Sequence, residues 1–126
     1  MGFVGEIILK KIDYKSYEVC EELWYITKFG VRIIVPKGFL TDGASIPRLA
    51  WRIIGSPFTG KYTGGSLVHD WLYHTQTCTR SYADSIFKEA MEVSGVSWLK
   101  RNSMWLAVRT FGFIPWNYHK RRNDGN

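Results

Sequence analysis

The chain has 126 residues, a length that suits one domain built around one hydrophobic core. Hydrophobic residues make up 45% of the sequence and charged residues 22%, which excludes a disordered chain except at its ends. The formal net charge of +6 favours acidic partners, but part of it lies in the C-terminal run HKRRNDGN, so charge alone gives little support to nucleic-acid binding.

Sorting and redox features of the sequence indicate a cytoplasmic protein. No apolar run approaches the roughly 18 residues that a membrane span needs. The acidic Glu6 interrupts the segment that would be continuously apolar in a signal peptide. Cys20 and Cys78 show no metal-binding spacing and are expected to be reduced thiols. We therefore expect no membrane span and a cytoplasmic location.

The first third of the chain has the β-branched content and the alternation of strands. The segment FVGEIILKKI, residues 3–12, predicts one strand. Residues 17–27 and 31–36 predict a hairpin that turns at KFG, where Gly30 can take a positive φ. The sequence therefore predicts a small antiparallel sheet of about three strands within residues 1–37.

Residues 38–66 are predicted to form ordered loops around one short helix. The segment GFLTDGASIPR is rich in Gly, Thr, Asp, Ser and Pro, which favour turns. The segment LAWRIIG predicts a short helix that ends at Gly55. Beyond the next loop the apolar period changes, and Ser66 is the predicted N-cap of a helix over residues 67–76.

Two further helices complete the predicted fold. The apolar period predicts one helix over about residues 81–94 and another over about residues 98–109. Because Pro115 prevents a regular helix from continuing, residues 111–126 are predicted to form an irregular aromatic tail. The chain is therefore predicted to be one α+β domain, in which three helices within residues 67–110 pack on the sheet.

The loop motif TDGASIPR places a carboxylate directly after the predicted sheet. Asp42 before Gly43 is typical of a tight turn, because Asp can bond its own backbone and Gly accepts unusual φ values. The alternative is a functional carboxylate, since sites collect on loops that a rigid scaffold holds. Both interpretations stay open at this point.

The predicted helix SLVHDWLYHTQ carries titratable groups among large apolar residues. Residues four apart share one face of a helix, so His69 aligns with Tyr73 and Asp70 aligns with His74. A buried carboxylate needs a partner. For Asp70 the candidates are an arginine, a histidine or a metal ion.

Asp84 lies beside the apolar stripe of the next predicted helix, in its first turn. A carboxylate there interacts favourably with the helix dipole, which is the structural interpretation. The functional interpretation groups Asp84 with Asp42, His69 and Asp70 as candidate catalytic residues and as ligands of zinc or a harder divalent ion. Nucleophilic catalysis has little support, because neither a GxSxG motif nor a Cys–His signature is present.

The last predicted helix, SWLKRNSMWLAVRTFG, carries a stripe of aromatic and basic residues close to one line, namely Trp98, Arg101, Trp105 and Arg109. Arginine and tryptophan neighbours can stack, and such a stripe suits an acidic polymer or nucleic-acid bases. In the structural interpretation, which we favour, the tryptophans fill the core and the arginines pair with acidic groups such as Asp70 or Asp84.

Four blocks of the sequence together resemble a known family. They are GFLTDGASIPRLAW, GKYTGGSLVHDWLY, RSYADSIFKEAMEVSGV and AVRTFG, within residues 38–112. The chain resembles domain of unknown function 1353, a family of small proteins of tailed phages, prophages and some bacteria. Gly65 departs mildly from the pattern, which favours a residue such as Ala there. The resemblance implies a phage or prophage origin and no particular mechanism.

Two functions are compatible with these observations. The favoured one is a non-catalytic accessory or virion-associated protein, made in the host cytoplasm, that binds other phage structural proteins or an acidic polymer. Its polar centre is then a buried network joined by Arg48, Arg80 or Arg109. The alternative is a small metal-assisted hydrolase of an acidic substrate such as cell-wall polymer or a nucleotide, with a divalent ion as cofactor. The candidate binding residues are Arg48, Tyr73, Trp98, Arg101, Trp105 and Arg109.

Overall fold

A computed structural model of the protein describes residues 1–54 and 60–124, without the side chains of residues 53 and 54. Within these ranges the strands are β1 (Gly2–Val4), β2 (Leu9–Lys11), β3 (Tyr17–Val19), β4 (Leu23–Ile26), β5 (Arg32–Val35) and β6 (Leu40–Thr41). The helices are α1 (Arg48–Ile54), α2 (Thr63–Thr75), α3 (Arg80–Val93), α4 (Trp98–Phe111) and α5 (Phe113–Asp124), with a 3₁₀ turn at Gly60–Tyr62 before α2. No helix in this part of the chain is long and apolar enough to cross a membrane. Both cysteines are free, as predicted.

The strands form two antiparallel sheets of three strands each, in the orders β1-β4-β5 and β2-β3-β6. The predicted α+β class is confirmed, but two sheets replace the single one that was expected. The predicted strand over residues 3–12 is interrupted because Gly5, at φ +89°, has a left-handed conformation that an extended strand does not contain. Its two parts, β1 and β2, therefore join different sheets.

The strands β4 and β5 form the hairpin predicted to turn at KFG, but its predicted first arm, residues 17–27, is divided, because Tyr17–Val19 is β3 of the other sheet. Leu23 pairs with Val35 at the open end, and Gly30 turns the chain at φ +81°, which confirms its predicted role. Along β5, Ile33 and Val35 are buried, while Arg32 and Ile34, which alternate with them, are exposed. One face of this sheet therefore covers the core and the other faces water.

The helix α2 begins earlier than predicted, at Thr63. Ser66 consequently lies buried inside the helix and is not its N-cap, and no side chain caps this end. Gly64 and Gly65 occupy the first turn, where packing outweighs their low helix propensity. The predicted short helix is confirmed as α1, and its predicted end at Gly55 lies outside the described residues.

The helices α3 and α4 confirm the two other predicted helices, with Thr79 and Ser97 as their N-caps. The irregular tail predicted from residue 111 is wrong, because α5 covers residues 113–124. Pro115 is the third residue of α5, in the first turn, where backbone N–H groups have no acceptor within the helix. Its missing N–H therefore removes no hydrogen bond from α5.

The helix α3 lies between two hydrophobic clusters. On one side Ile86 and Ala90 pack with residues of the sheets and of α2. On the other side Phe87 and Met91 pack with residues of α1 and α4. Because α3 is central, Asp84 is fully buried. The prediction that it lies in the first turn is wrong, because α3 begins at Arg80 and Asp84 is its fifth residue.

Two neighbouring glycines of α2 provide a matched test of how this helix packs against β1 and α3. In Gly64→Ala the new methyl would lie 2.6 Å from Phe3 Cζ, so we expect a loss of about 1–3 kcal/mol in the free energy of unfolding. In Gly65→Ala the nearest atom, Phe87 Cδ1, lies at an ordinary 3.4 Å. That variant is expected to gain up to about 1 kcal/mol from helix propensity. Urea denaturation measures both, and equal effects would contradict the packing.

Candidate active site

His69 and Asp84 meet at the interface between α2 and α3. Both side chains are fully buried, and His69 Nε2 lies 2.8 Å from Asp84 Oδ1. Tyr73, one turn after His69 on the same side of α2, donates its hydroxyl to the same oxygen at 2.7 Å. The predicted alignment of His69 with Tyr73 thus brings two donors onto one carboxylate.

Two arginines complete the surroundings of Asp84. Arg109 on α4 donates to Asp84 Oδ2 at 2.8 Å, and Arg80, one turn earlier on α3, lies 3.5 Å from the same oxygen. Burial alone would raise the pKa of Asp84, but the hydrogen bonds that it accepts, above all the one from His69, hold that pKa below its ordinary value. Asp84 is therefore an ionised carboxylate with donors around both oxygens.

The other ring nitrogen of His69 contacts a serine. Ser45 Oγ lies 3.0 Å from His69 Nδ1, and Ser45 is itself fully buried. Because the ionised Asp84 only accepts hydrogen bonds, the neutral imidazole carries its proton on Nε2, and Nδ1 accepts from the Ser45 hydroxyl. Hydroxyl, imidazole and carboxylate form one hydrogen-bonded chain, the arrangement of a nucleophile, its base and an orienting acid.

Sequence analysis did not identify Ser45 as a candidate. Such a triad is recognised by its geometry and not by a local motif, so the absence of GxSxG carried no information about this residue. The available signal was its position in the loop TDGASIPR, one of the blocks that carry the family resemblance. The loop was therefore a good candidate, and the side chain in it that contacts His69 is Ser45 and not Asp42.

Asp70, next to His69 on α2, holds the loop that carries Ser45. Thr41 Oγ1 donates to Asp70 Oδ2 at 2.5 Å, and the Ser45 N–H donates to Asp70 Oδ1 at 3.3 Å. Burial raises the pKa of Asp70, and these two hydrogen bonds only partly oppose that rise. The predicted pairing of an arginine with Asp70 is wrong within residues 1–54 and 60–124, because Thr41 and Ser45 donate to this carboxylate instead.

Asp42 stands apart from the buried centre. Its Oδ1 accepts from the N–H two residues later at 2.9 Å, which confirms the predicted turn. The four predicted catalytic and metal-binding residues are therefore not brought together: His69 contacts Asp84 directly, and Asp70 is joined to them only through Ser45. In the described ranges no three or more His, Cys, Asp or Glu side chains are grouped as metal ligands.

Two adjoining cavities, of about 920 and about 770 Å³, lie on the outer side of the Ser45 loop. Both are lined by Asp42 and Ala44 of the loop and by Ile114 and Pro115 of α5. Neither of these two cavities is lined by Ser45 or by His69, although neighbouring residues of the loop line both.

The smaller cavity brings one buried carboxylate and two histidines together. Asp70, which is 5% exposed, lines it together with His74 and His119, and the two imidazole rings lie 5.3 Å apart. His119 Nδ1 is buried and has no hydrogen-bond partner in the described part of the chain. Burial lowers the pKa of His119, so its neutral form is favoured in this cavity.

The predicted binding residues are dispersed. Tyr73 and Arg109 belong to the buried centre, and the predicted pairing of Arg109 with Asp84 is confirmed. Arg48 was also considered as a partner in this network, but it is exposed at the start of α1 and lines the larger cavity.

The aromatic and basic stripe of α4 divides into separate contacts. Trp98 is 67% exposed, so the prediction that it fills the core is wrong, because α4 turns a different side toward α3. Arg101 donates to the backbone carbonyl five residues earlier at 3.1 Å. Trp105 is only partly buried, and the Lys88 ammonium lies 4.8 Å from its ring centroid.

Comparison with known proteins places the chain among uncharacterised relatives. It is 35% identical over 96 residues to the uncharacterized protein y4jT, and 33% identical over 94 residues to the uncharacterized protein y4iH, both of Sinorhizobium fredii strain NGR234. These alignments cover 76% and 75% of this chain but 29% and 39% of the relatives. The chain thus spans about a third of the length of the curated relatives it matches. No solved structure matches it.

A family match covers most of the chain. The family described as "Protein of unknown function (DUF1353)" matches residues 17–108, which include the Ser45 loop, α2 and α3. The expected resemblance is confirmed as a family relationship. The chain belongs to the DUF1353 family.

Proposed function

We propose that the protein is a small hydrolase of acyl esters, in which Ser45 is the nucleophile and His69 is the general base. The observation that carries this proposal is the hydrogen-bonded chain from Ser45 through His69 to Asp84. Its two contacts, 3.0 and 2.8 Å long, are within the distance that proton transfer needs. Serine is a weak nucleophile on its own, and an adjacent oriented base activates it.

The proposed reaction has two halves with balanced proton transfers. Ser45 Oγ bonds to the ester carbon while its proton passes to His69 Nδ1, which gives that proton to the departing alcohol. A water molecule then attacks the acyl-serine and gives a proton to Nδ1, and the acid leaves as Ser45 regains its hydrogen. Asp84 stays ionised throughout, keeps the ring oriented and stabilises the imidazolium.

Access to this centre requires the loop between β6 and α1 to move, because Ser45 and His69 are fully buried. The outer side of the loop lines both cavities, so its displacement would connect them with His69 Nδ1. Cavities of this size accommodate a small organic substrate. Arg48 and Arg52 line the larger one, which supports the expectation of an acidic substrate.

A second candidate, the accessory role without catalysis, is favoured by a different observation. The polar atoms that join Ser45, His69 and Asp84 are hydrogen-bonded and buried, as in networks that specify a unique fold. In this proposal the protein is encoded by a phage or prophage, is made in the host cytoplasm and associates with the virion. The family resemblance of the four sequence blocks supports that origin.

Serine substitutions separate the two candidates. We expect Ser45→Ala to lower the hydrolysis of p-nitrophenyl butyrate at least about 100-fold, because loss of a triad member removes the covalent step. Ser66→Ala is the matched control, since Ser66 is equally buried and its hydroxyl has no hydrogen-bond partner within the described ranges. Steady-state esterase assays measure the rates, and mass spectrometry of the trapped acyl-protein locates the modified residue.

The outcomes of this experiment are distinct. An acyl group on Ser45 and full activity of Ser66→Ala would support the hydrolase. Absence of esterase activity in the unsubstituted protein, or full activity in Ser45→Ala, would contradict it. Absence of activity together with a loss of stability in Ser45→Ala would support the structural network, because His69 Nδ1 would then lack its partner.

Asn substitutions of Asp70 and Asp84 are expected to change the pH dependence of stability in opposite senses. Folding lowers the pKa of Asp84, so its stabilising contribution exists above the ordinary aspartate pKa and is lost as the pH falls through the folded-state pKa. Folding raises the pKa of Asp70, so stability declines as the pH rises from the ordinary value to the raised one. Asp84→Asn should therefore abolish the loss of stability at falling pH, and Asp70→Asn the loss at rising pH. Urea denaturation from about pH 3 to 8 measures the free energy of unfolding of both variants.

The same variants differ in their expected effect at neutral pH. Asp84→Asn should lose about 3–5 kcal/mol, because Arg80 and Arg109 are left without their carboxylate. Asp42→Asn is the control, since Asp42 is half-buried in a turn and is expected to change stability by no more than about 0.5 kcal/mol. An equal loss in both variants would refute the role assigned to Asp84.

The proposed virion association has its own test. In a lysogen that carries the gene, we expect peptides of this chain in purified particles after induction, detected by mass spectrometry. Recovery of the chain from the lysate alone, with none in the particles, would contradict virion association and would leave the enzymatic proposal unaffected.

A further inference from the structure

The two cavities belong to one surface that combines apolar and cationic side chains, which we call the groove face. Its most exposed apolar members have 56 to 82% of their surface exposed and are Tyr14, Leu40, Leu49, Ile114 and Tyr118. Its cations are exposed as well and are Lys15, Arg48, Arg52 and Arg122. Exposed apolar side chains grouped in this way mark an interaction surface.

The charge of the groove face is not balanced from within. None of its four cations forms an ion pair with a carboxylate within residues 1–54 and 60–124. Two carboxylates also line the cavities, the half-buried Asp42 and the almost fully buried Asp70, so the four exposed cations outnumber them. The groove face therefore presents a positive potential around an apolar floor.

The helix α5 is fixed with its apolar side outward. Trp116 packs edge-on against Tyr73, with ring centroids 5.1 Å apart, and its carbonyl accepts from Gln76 Nε2 at 2.7 Å. Ile114 and Tyr118, four residues apart, share another side of the helix and remain exposed. Their exposure is therefore a consequence of how α5 is anchored on α2.

We propose that the groove face docks on the surface of an anionic lipid bilayer, with its apolar side chains among the headgroups and its cations on lipid phosphates. Lysine and arginine near such a surface are attracted to it, and buried apolar area adds an attraction that salt does not screen. A nucleic acid would stack its bases on Tyr14 and Tyr118 at most, and would leave Leu40, Leu49 and Ile114 in water. Docking rests on this surface alone and not on the proposed hydrolysis, although it would place the Ser45 loop against lipid.

Vesicle binding with matched variants tests the docking. We expect the full chain to co-sediment with vesicles of phosphatidylglycerol and phosphatidylcholine but not with phosphatidylcholine alone, and to bind less as ionic strength rises. Arg48→Glu and Ile114→Ser should each weaken binding at least about tenfold. The matched controls are Lys100→Glu and Leu106→Ser on α4, which replace equally exposed residues outside the groove face and should leave binding unchanged.

Several results would overturn the proposal. Equal binding to both kinds of vesicle, no binding to either, or equal losses in the controls would each contradict docking through the groove face. Retention on a soluble polyanion such as heparin, without binding to anionic vesicles, would assign the surface to an acidic polymer instead. Circular dichroism of each variant confirms that a loss of binding is not a loss of fold.

Discussion

The burial of an ionised Asp84 constrains how the helices of this protein are arranged. Removing a carboxylate from water is unfavourable by several kcal/mol unless well-placed donors replace the water. These donors come from α2, from the preceding turn of α3 and from α4, so three helices must meet at one point. Arg80 also donates to the carbonyls of Val108 and Arg109, which joins the last turn of α4 to the same point.

The constraint extends from the helices to the loop after β6 through His69. With its Nε2 proton directed at Asp84, the ring can present only Nδ1 to the loop, where Ser45 donates to it. Asp70, the next residue of α2, holds the same loop by accepting from Thr41 and Ser45. Two adjacent residues of one helix thus position the loop, and the outer side of that loop shapes both cavities.

Local sequence patterns predicted the features that depend on neighbouring residues. The turn at Gly30 and the alignment of His69 with Tyr73 follow from turn chemistry and helical period. Ser45 could not be found in this way, because its contact with His69 spans 24 positions and depends on how β6 packs on α2. The helix α5 was not predicted, because a proline breaks a helix in its interior but not in its first turn. Only the fold shows that α5 begins at Phe113, so that Pro115 lies in its first turn.

The two nitrogens of His69 are held with unequal strength, and this difference bears on both candidate functions. Nε2 faces an ionised carboxylate that other donors keep in place, and charge-assisted hydrogen bonds are roughly twice as strong as neutral ones. Nδ1 faces only the neutral hydroxyl of Ser45, on a loop beside two cavities. A local opening of the domain would therefore begin on the loop side, where fewer and weaker contacts must break. With the loop closed, the buried network is fully hydrogen-bonded; with the loop open, His69 Nδ1 is accessible as a general base. These are two states of one structure, so the buried network does not argue against catalysis.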